Sequence, residues 1–94
     1  MNEYAAGKLK RAFENARIFQ AEIQNLETRI VEYNFYLRDP NTQYDKASLQ
    51  ANIDQMRGQI ERMHESVKNE EMVVNNIMND FFFLIIGLLM RSTI

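Results

Sequence analysis

Apolar residues alternate at three- and four-residue spacing along two stretches of this 94-residue chain. The first stripe comprises Ala5, Leu9, Ala12, Ala16, Phe19, Ile23, Leu26, Ile30, Tyr33 and Leu37. The second comprises Leu49, Ile53, Met56, Ile60, Met63, Val67, Glu70, Val74, Ile77, Phe81, Leu84 and Leu88, with Glu70 as its single polar member. A seven-residue repeat keeps such a stripe on one side of a helix that winds round a partner. The pattern therefore predicts an all-α fold, an antiparallel two-helix coiled-coil hairpin.

Polar residues at the ends of the stripes predict where the helices begin and end. Asn2 can accept a hydrogen bond from a first-turn amide. Asp39 precedes Pro40, and a residue before proline is pushed out of the helical region. Either Thr42 or Asp45 can then cap the second helix. The predicted bounds are about 3–38 for helix one, 39–45 for the loop and 46–80 for helix two.

The loop also sets which residues of the two helices face each other. If Leu37 lies opposite Lys46 or Leu49, then Ala5 lies opposite Ile77 or Phe81. The N-terminal end of helix one is at that level. The second stripe therefore outruns the helix available to cover it. Residues 81–94 are predicted to form an apolar helical extension of helix two that needs another partner.

Glu70 interrupts the second stripe where the first one is thin, near Ala12 and Ala16. An unpaired carboxylate in a helix seam is destabilising, so the sequence predicts Arg11 or Arg17 as its partner. The interpretation we favour is that Glu70 leans out to water at a weakly packed layer, and the alternative is a polar residue that sets the register of the two helices.

The C-terminal extension is the predicted contact site. Its apolar residues are Phe81, Phe82, Phe83, Leu84, Ile85, Ile86, Leu88, Leu89 and Met90. Ten helical residues span about 15 Å, half of a bilayer core, and a longer span would include Asn75, Asn76, Asn79 and Asp80. Burial in a protein oligomer, shallow membrane insertion and a full span within a bundle all remain open.

A second contact surface is predicted from aromatic residues that lie off the stripes: Phe13, Phe35 and Tyr36. Aromatic side chains at helical spacing on an outer face are typical of contacts between subunits.

Composition and spacing point away from catalysis and from nucleic acid. The 11 basic and 13 acidic residues are interspersed, which leaves no basic face for nucleic acid. Glu61 and His64 have a Glu-x-x-His spacing that di-iron bundles use, but Ile60 and Met63 hold the seam, so both should face outward. No catalytic residue, metal site, cofactor or small-molecule substrate is expected. The first eight residues contain no apolar core, so no cleavable signal peptide is expected either.

These features favour a non-enzymatic structural subunit of a multi-copy assembly, such as a virion component or a secretion-apparatus subunit. Its expected partners are copies of itself and other assembly proteins, with membrane contact possible. In outline the hairpin is similar to the short helical hairpins that build type III secretion needles, which also turn at a proline-containing loop, here Asp39-Pro40-Asn41. The apolar tail departs from that pattern. A membrane-anchored coiled-coil adaptor and a small helical chaperone are the alternatives.

Overall fold

The computed structural model of the chain, which describes residues 1–92, contains two helices that pack against each other. Helix α1 spans Glu3–Arg38 and helix α2 spans Lys46–Ser92. The predicted all-α antiparallel hairpin is confirmed. Helix α2 continues without a break through residue 80, so the apolar extension belongs to the same helix as the seam. Thr93 and Ile94, the last two residues of the predicted extension, lie outside the described residues.

Side chains at the two ends of α1 hydrogen-bond the backbone. Asn2 caps the helix, since its Oδ1 atom accepts from the backbone amide of Ala5 at 2.7 Å. At the other end, Asp39 has an extended backbone and its Oδ1 atom accepts from the amide of Asn41 at 2.9 Å. Asp39 thus both ends α1 and opens the loop.

Asp45 is the residue that caps α2. Its Oδ2 atom accepts from the backbone amide of Ser48 at 3.1 Å and from the Ser48 hydroxyl at 2.8 Å. Thr42, the other predicted cap, instead accepts from the amide of Tyr44 within the loop at 3.3 Å. The two hydrogen bonds from Ser48 hold the pKa of Asp45 below its ordinary value.

The best-packed part of the core lies in the half of the hairpin nearest the loop. Ile53 has no exposed surface, and Leu26 and Met56 are buried beside it. Partly buried members of both stripes surround this cluster: Ile30, Tyr33, Leu37, Ile60 and Met63. The heptad positions are therefore the positions that pack.

A hydrogen bond between the helices shows their register in the other half, where Asn15 Nδ2 donates to Glu70 Oε1 at 3.3 Å. From this pair, each step back along α1 matches a step forward along α2, so Glu3 lies level with Phe82. The rod measures 78 × 20 × 14 Å. Residues 83–92 extend past the start of α1 by about 15 Å.

Candidate functional site

The apolar end of α2 is almost entirely exposed, as the outrunning stripe predicts. Phe83 leaves 69% of its surface exposed, and its ring meets that of Phe82 edge-on at 6.2 Å. The exposed members of the predicted contact site are Phe82, Phe83, Leu84, Ile85, Ile86, Leu88, Leu89 and Met90. They occupy every side of the helix, so no single face of α2 could have buried them within one hairpin.

Phe81 differs from the rest of the predicted contact site because α1 partly covers it. It is half-buried and lines a cleft of about 240 Å³ together with Met1, Asn2 and Ala5. Leu84 lines the same cleft. Phe81 therefore closes the hairpin, and the exposed apolar surface begins at Phe82.

Helix α2 is also long and apolar enough to cross a membrane, judged by length and composition. It contains an 18-residue window with a mean hydropathy of 1.7, and none of that window is buried. Core helices of soluble proteins can be equally apolar, but most of their surface is buried. Here the residues of the window are exposed or half-buried.

A groove runs between the helices where α1 carries Ala12 and Ala16. We call it the alanine groove. It has a volume of about 520 Å³, and Phe13, 58% exposed, forms part of one wall. The other lining residues are Ala12, Ala16, Arg17, Gln20, Val67, Glu70, Glu71, Val74 and Asn75. Phe13 was predicted from the sequence as a contact residue, whereas the groove was not predicted. The signal for it was small alanines opposite bulky residues in the thin half of the seam.

Glu70 lies at this groove, half-buried, and its partner differs from the predicted one. The sequence predicts an ion pair with Arg11 or Arg17, but Glu70 accepts a hydrogen bond from Asn15. That prediction was wrong because heptad spacing gives the level of a residue along the seam, and not which polar side chain at that level it contacts. Arg17 lines the same groove as Glu70, but the Glu70 carboxylate accepts its hydrogen bond from Asn15.

The remaining predicted contact residues, Phe35 and Tyr36, lie near the loop and apart from Phe13. Phe35 leaves 71% of its surface exposed, whereas Tyr36 is half-buried against the ring of Tyr44 at 4.9 Å. The Tyr36 hydroxyl donates to Glu32 Oε1 at 3.3 Å, and that carboxylate, together with Tyr44, raises the pKa of Tyr36 above its ordinary value. About 22 residues of helix, or roughly 33 Å, separate Phe13 from Phe35. We call Phe35, Tyr36 and Tyr44 the loop patch.

The residues considered for metal chemistry do not come together. Glu61 and His64 are both exposed on the outer side of α2. Within residues 1–92, no three His, Asp or Glu side chains are grouped so that they could hold a metal ion. What the described residues offer chemically is apolar surface at the end of α2 and aromatic surface at the loop patch. Between them lies the alanine groove, whose lining is half apolar and half polar.

Comparison of the chain with protein-family models, with curated proteins and with solved structures finds no match.

Proposed function

We propose that the protein is a non-enzymatic structural subunit of a multi-copy assembly, and that the exposed end of α2 is its main contact between subunits. One observation carries this proposal: eight large apolar side chains between residues 82 and 90 are exposed on every side of a continuous helix. Apolar area is the dominant source of favourable free energy in protein association. A surface that surrounds a helix needs more than one neighbour to cover it.

The position of the loop patch supports contacts with several neighbours. It lies at the opposite end of a 78 Å rod from the apolar tail. Two apolar surfaces this far apart cannot be covered by one small partner, but copies of a rod packed side by side can cover both. Repetition of one subunit through different surfaces produces extended assemblies.

The small core supports the same proposal. Among residues 1–92, seven apolar residues are buried: Ala12, Ile23, Leu26, Leu49, Ile53, Met56 and Val67. A two-helix hairpin of this size is near the lower limit for independent stability. Burial between subunits would supply the apolar contacts that a lone hairpin lacks.

The test is multi-angle light scattering of the full chain and of a chain that ends at Asp80, without lipid. We expect large homo-oligomers for the full chain and monomers or dimers for the shortened one. In a second comparison, Phe82→Ser combined with Ile86→Ser should abolish the large species while helical content is kept. Met72→Ser changes an exposed apolar residue of α2 outside residues 82–90 and is the matched control. It should leave the large species intact. A full chain that is monomeric without lipid would overturn the proposal.

A second candidate is a membrane-anchored coiled-coil adaptor, favoured by the unburied apolar window of α2. Asp80 and three asparagines within or beside the apolar stretch disfavour a lone span, since a central Asp alone costs about 3 kcal/mol on an insertion scale. Flotation with lipid vesicles separates the two candidates. An adaptor would remain small in detergent and would float only when residues 81–94 are present.

A further inference from the structure

The alanine groove and an apolar strip of the tail lie on the same face of the rod. On α2, Glu71 and Asn75 line the groove. Residues three, four and seven positions apart share a helix face. Continuing from Asn75 at that spacing gives Met78, Phe82, Ile86 and Leu89, which are all exposed. We call these four residues the tail strip.

The groove and the tail strip complement each other in size. The groove spans positions 67–75 of α2, about 12 Å, and its floor contains Ala12 and Ala16. The tail strip spans positions 78–89, about 17 Å, and its side chains are large. Large side chains that enter a groove beside small ones are the usual geometry of close helix packing.

We propose that a second copy of this chain docks antiparallel on this face, so that each tail strip fills the other copy's alanine groove. When one surface carries both a groove and a strip that fits it, two copies related by a two-fold axis form the strip-in-groove contact twice. The groove is centred near residue 71 and the strip near residue 83 or 84. The axis therefore passes beside residue 77, and position 68 of one copy lies level with position 86 of the other.

Two asparagines fit the same axis independently of the apolar residues. Asn75 and Asn79 are both exposed and lie symmetrically about residue 77. The two-fold axis places Asn75 of one copy level with Asn79 of the second copy, and the reverse. A side-chain amide both donates and accepts, so each pair can form a hydrogen bond across the interface. Two polar residues in an apolar stretch then have partners.

This interface deepens the proposed function and rests on it, because the partner is another copy of the same subunit. It leaves the opposite side of the tail, including Phe83 and Leu88, uncovered, together with the loop patch. The antiparallel pair would therefore still carry apolar surface for further copies. The pair is the first contact of the assembly, and the remaining surfaces extend it.

The chain contains no cysteine, so single cysteines can report the interface directly. Met78→Cys places a thiol beside the two-fold axis. Met72→Cys is the matched control at an exposed methionine on the same helix, about 15 Å along the rod from its own copy in this arrangement. With a short bis-maleimide crosslinker, we expect most Met78→Cys chains to form covalent dimers and Met72→Cys chains to stay monomeric on a denaturing gel. Equal crosslinking of both variants, or none of Met78→Cys, would overturn the interface.

A mixture of two variants tests the antiparallel register. Lys68→Cys and Ile86→Cys lie level across the axis, but each is about 27 Å from its own equivalent. The mixture should crosslink into a heterodimer, and neither variant should crosslink alone. A crosslink formed by Ile86→Cys alone would indicate parallel tails and would overturn the proposal.

Light scattering of the same samples distinguishes failure of the proposed interface from failure of the proposed function. If the chain forms oligomers but the Met78→Cys and mixed crosslinks are absent, the interface is wrong and the structural-subunit proposal stands. If the chain is monomeric without lipid, both fail.

Discussion

At the scale of single residues, a few polar side chains determine where each helix starts. Asn2 and Asp45 each accept a hydrogen bond from an amide of the first helical turn. These amides have no partner within the helix, so the caps satisfy groups that would otherwise need water. Asp45 also carries a negative charge at the positive end of the α2 dipole.

The Asp45 cap should make the stability of the hairpin depend on pH. The pKa of Asp45 is below 3.8 when folded, because Ser48 donates two hydrogen bonds to the carboxylate. A lowered folded-state pKa means that this contribution is fully present above the ordinary pKa of 3.8 and is lost as pH falls through the lower folded value.

Thermal melts of the wild type and of Asp45→Asn and Asp45→Ala, followed by circular dichroism from pH 7 to pH 2, check this. At pH 7, Asp45→Ala should melt lowest, and Asp45→Asn, which still caps, should lie between it and the wild type. The gap between the wild type and Asp45→Asn should close at the acid end. A gap that widens on acidification would contradict the assignment of Asp45 as the cap.

Ile53 should be the most sensitive apolar position, since it alone has no exposed surface among the buried core residues. Replacing a buried isoleucine by alanine removes contacts and leaves a cavity, at about 2–5 kcal/mol. Urea unfolding of Ile53→Ala should show that loss. Ile18→Ala, at an exposed isoleucine of α1, should change stability by less than about 0.5 kcal/mol. Similar losses at both positions would mean that the seam is not where the structure places it.

Residue pairings were predicted less well than residue levels. The heptad spacing placed Glu70 near Ala12 and Ala16, and the hydrogen bond from Asn15 occurs at that level. It did not identify Asn15, because periodicity does not show which of the polar side chains at one level contact each other. Tyr36 was predicted to lie near Tyr44 on an outer contact surface, and the structure packs the two rings together, which leaves Tyr36 half-buried. That contact depends on loop conformation, which apolar spacing does not encode.

At the scale of the elements, α2 combines a seam helix and an apolar helix in 47 residues without a break. Two glycines lie within it, and neither ends it. A Cβ atom added at Gly58 would lie 3.5 Å from the Arg62 guanidinium, an ordinary contact with a flexible side chain. At Gly87 an added Cβ atom would point into open space. These glycines are therefore helix positions at which alanine fits.

Gly58→Ala should stabilise the hairpin by about 1 kcal/mol, because glycine loses more backbone entropy in a helix than alanine does. Urea unfolding followed by circular dichroism measures the change. Ala51→Gly, at an exposed position seven residues earlier on α2, is the reciprocal control and should lose a similar amount. Destabilisation by Gly58→Ala would indicate a close contact at that position.

The helix bounds were the most predictable feature of the elements. Asp39-Pro40 ends α1 for a steric reason that needs no tertiary structure, and Asn2 caps it through a local bond. The choice between Thr42 and Asp45 could not be made in advance because both are good caps. It depends on the path of the loop, in which the Thr42 hydroxyl accepts from the amide of Tyr44.

At the scale of the whole molecule, the hairpin is a thin rod whose packing weakens from the loop toward the chain ends. The cluster around Ile53 lies near the loop, and residues 85–92 have no part of α1 beside them. Apolar surface increases in the same direction. The end with the least internal packing is therefore the end with the most surface to bury in an assembly.

Hydrogen exchange should reveal this gradient. In a dilute monomer, amides around Leu26, Ile53 and Met56 should exchange slowest, and amides of residues 85–92 fastest, because an isolated helix end frays readily. At concentrations where oligomers form, exchange in residues 82–90 should slow markedly while the loop half changes little. A tail that stays fast in the oligomer would show that other surfaces hold the copies together.

The short loop also determines the order in which the two helices of one chain pair during folding. Leu37 and Leu49, on either side of the loop, are separated by only about 12 residues, whereas Ala5 and Phe81 are separated by about 76. Contacts between neighbours in sequence lose less entropy on closing, so they form first. Pairing should therefore begin next to the loop and extend along the helices, and the contacts of Ala5, Ala12 and Ala16 should form last. During synthesis, all of α1 is made before any residue of its partner helix exists. The apolar residues 82–90 are synthesised after α1 and after the part of α2 that pairs with it.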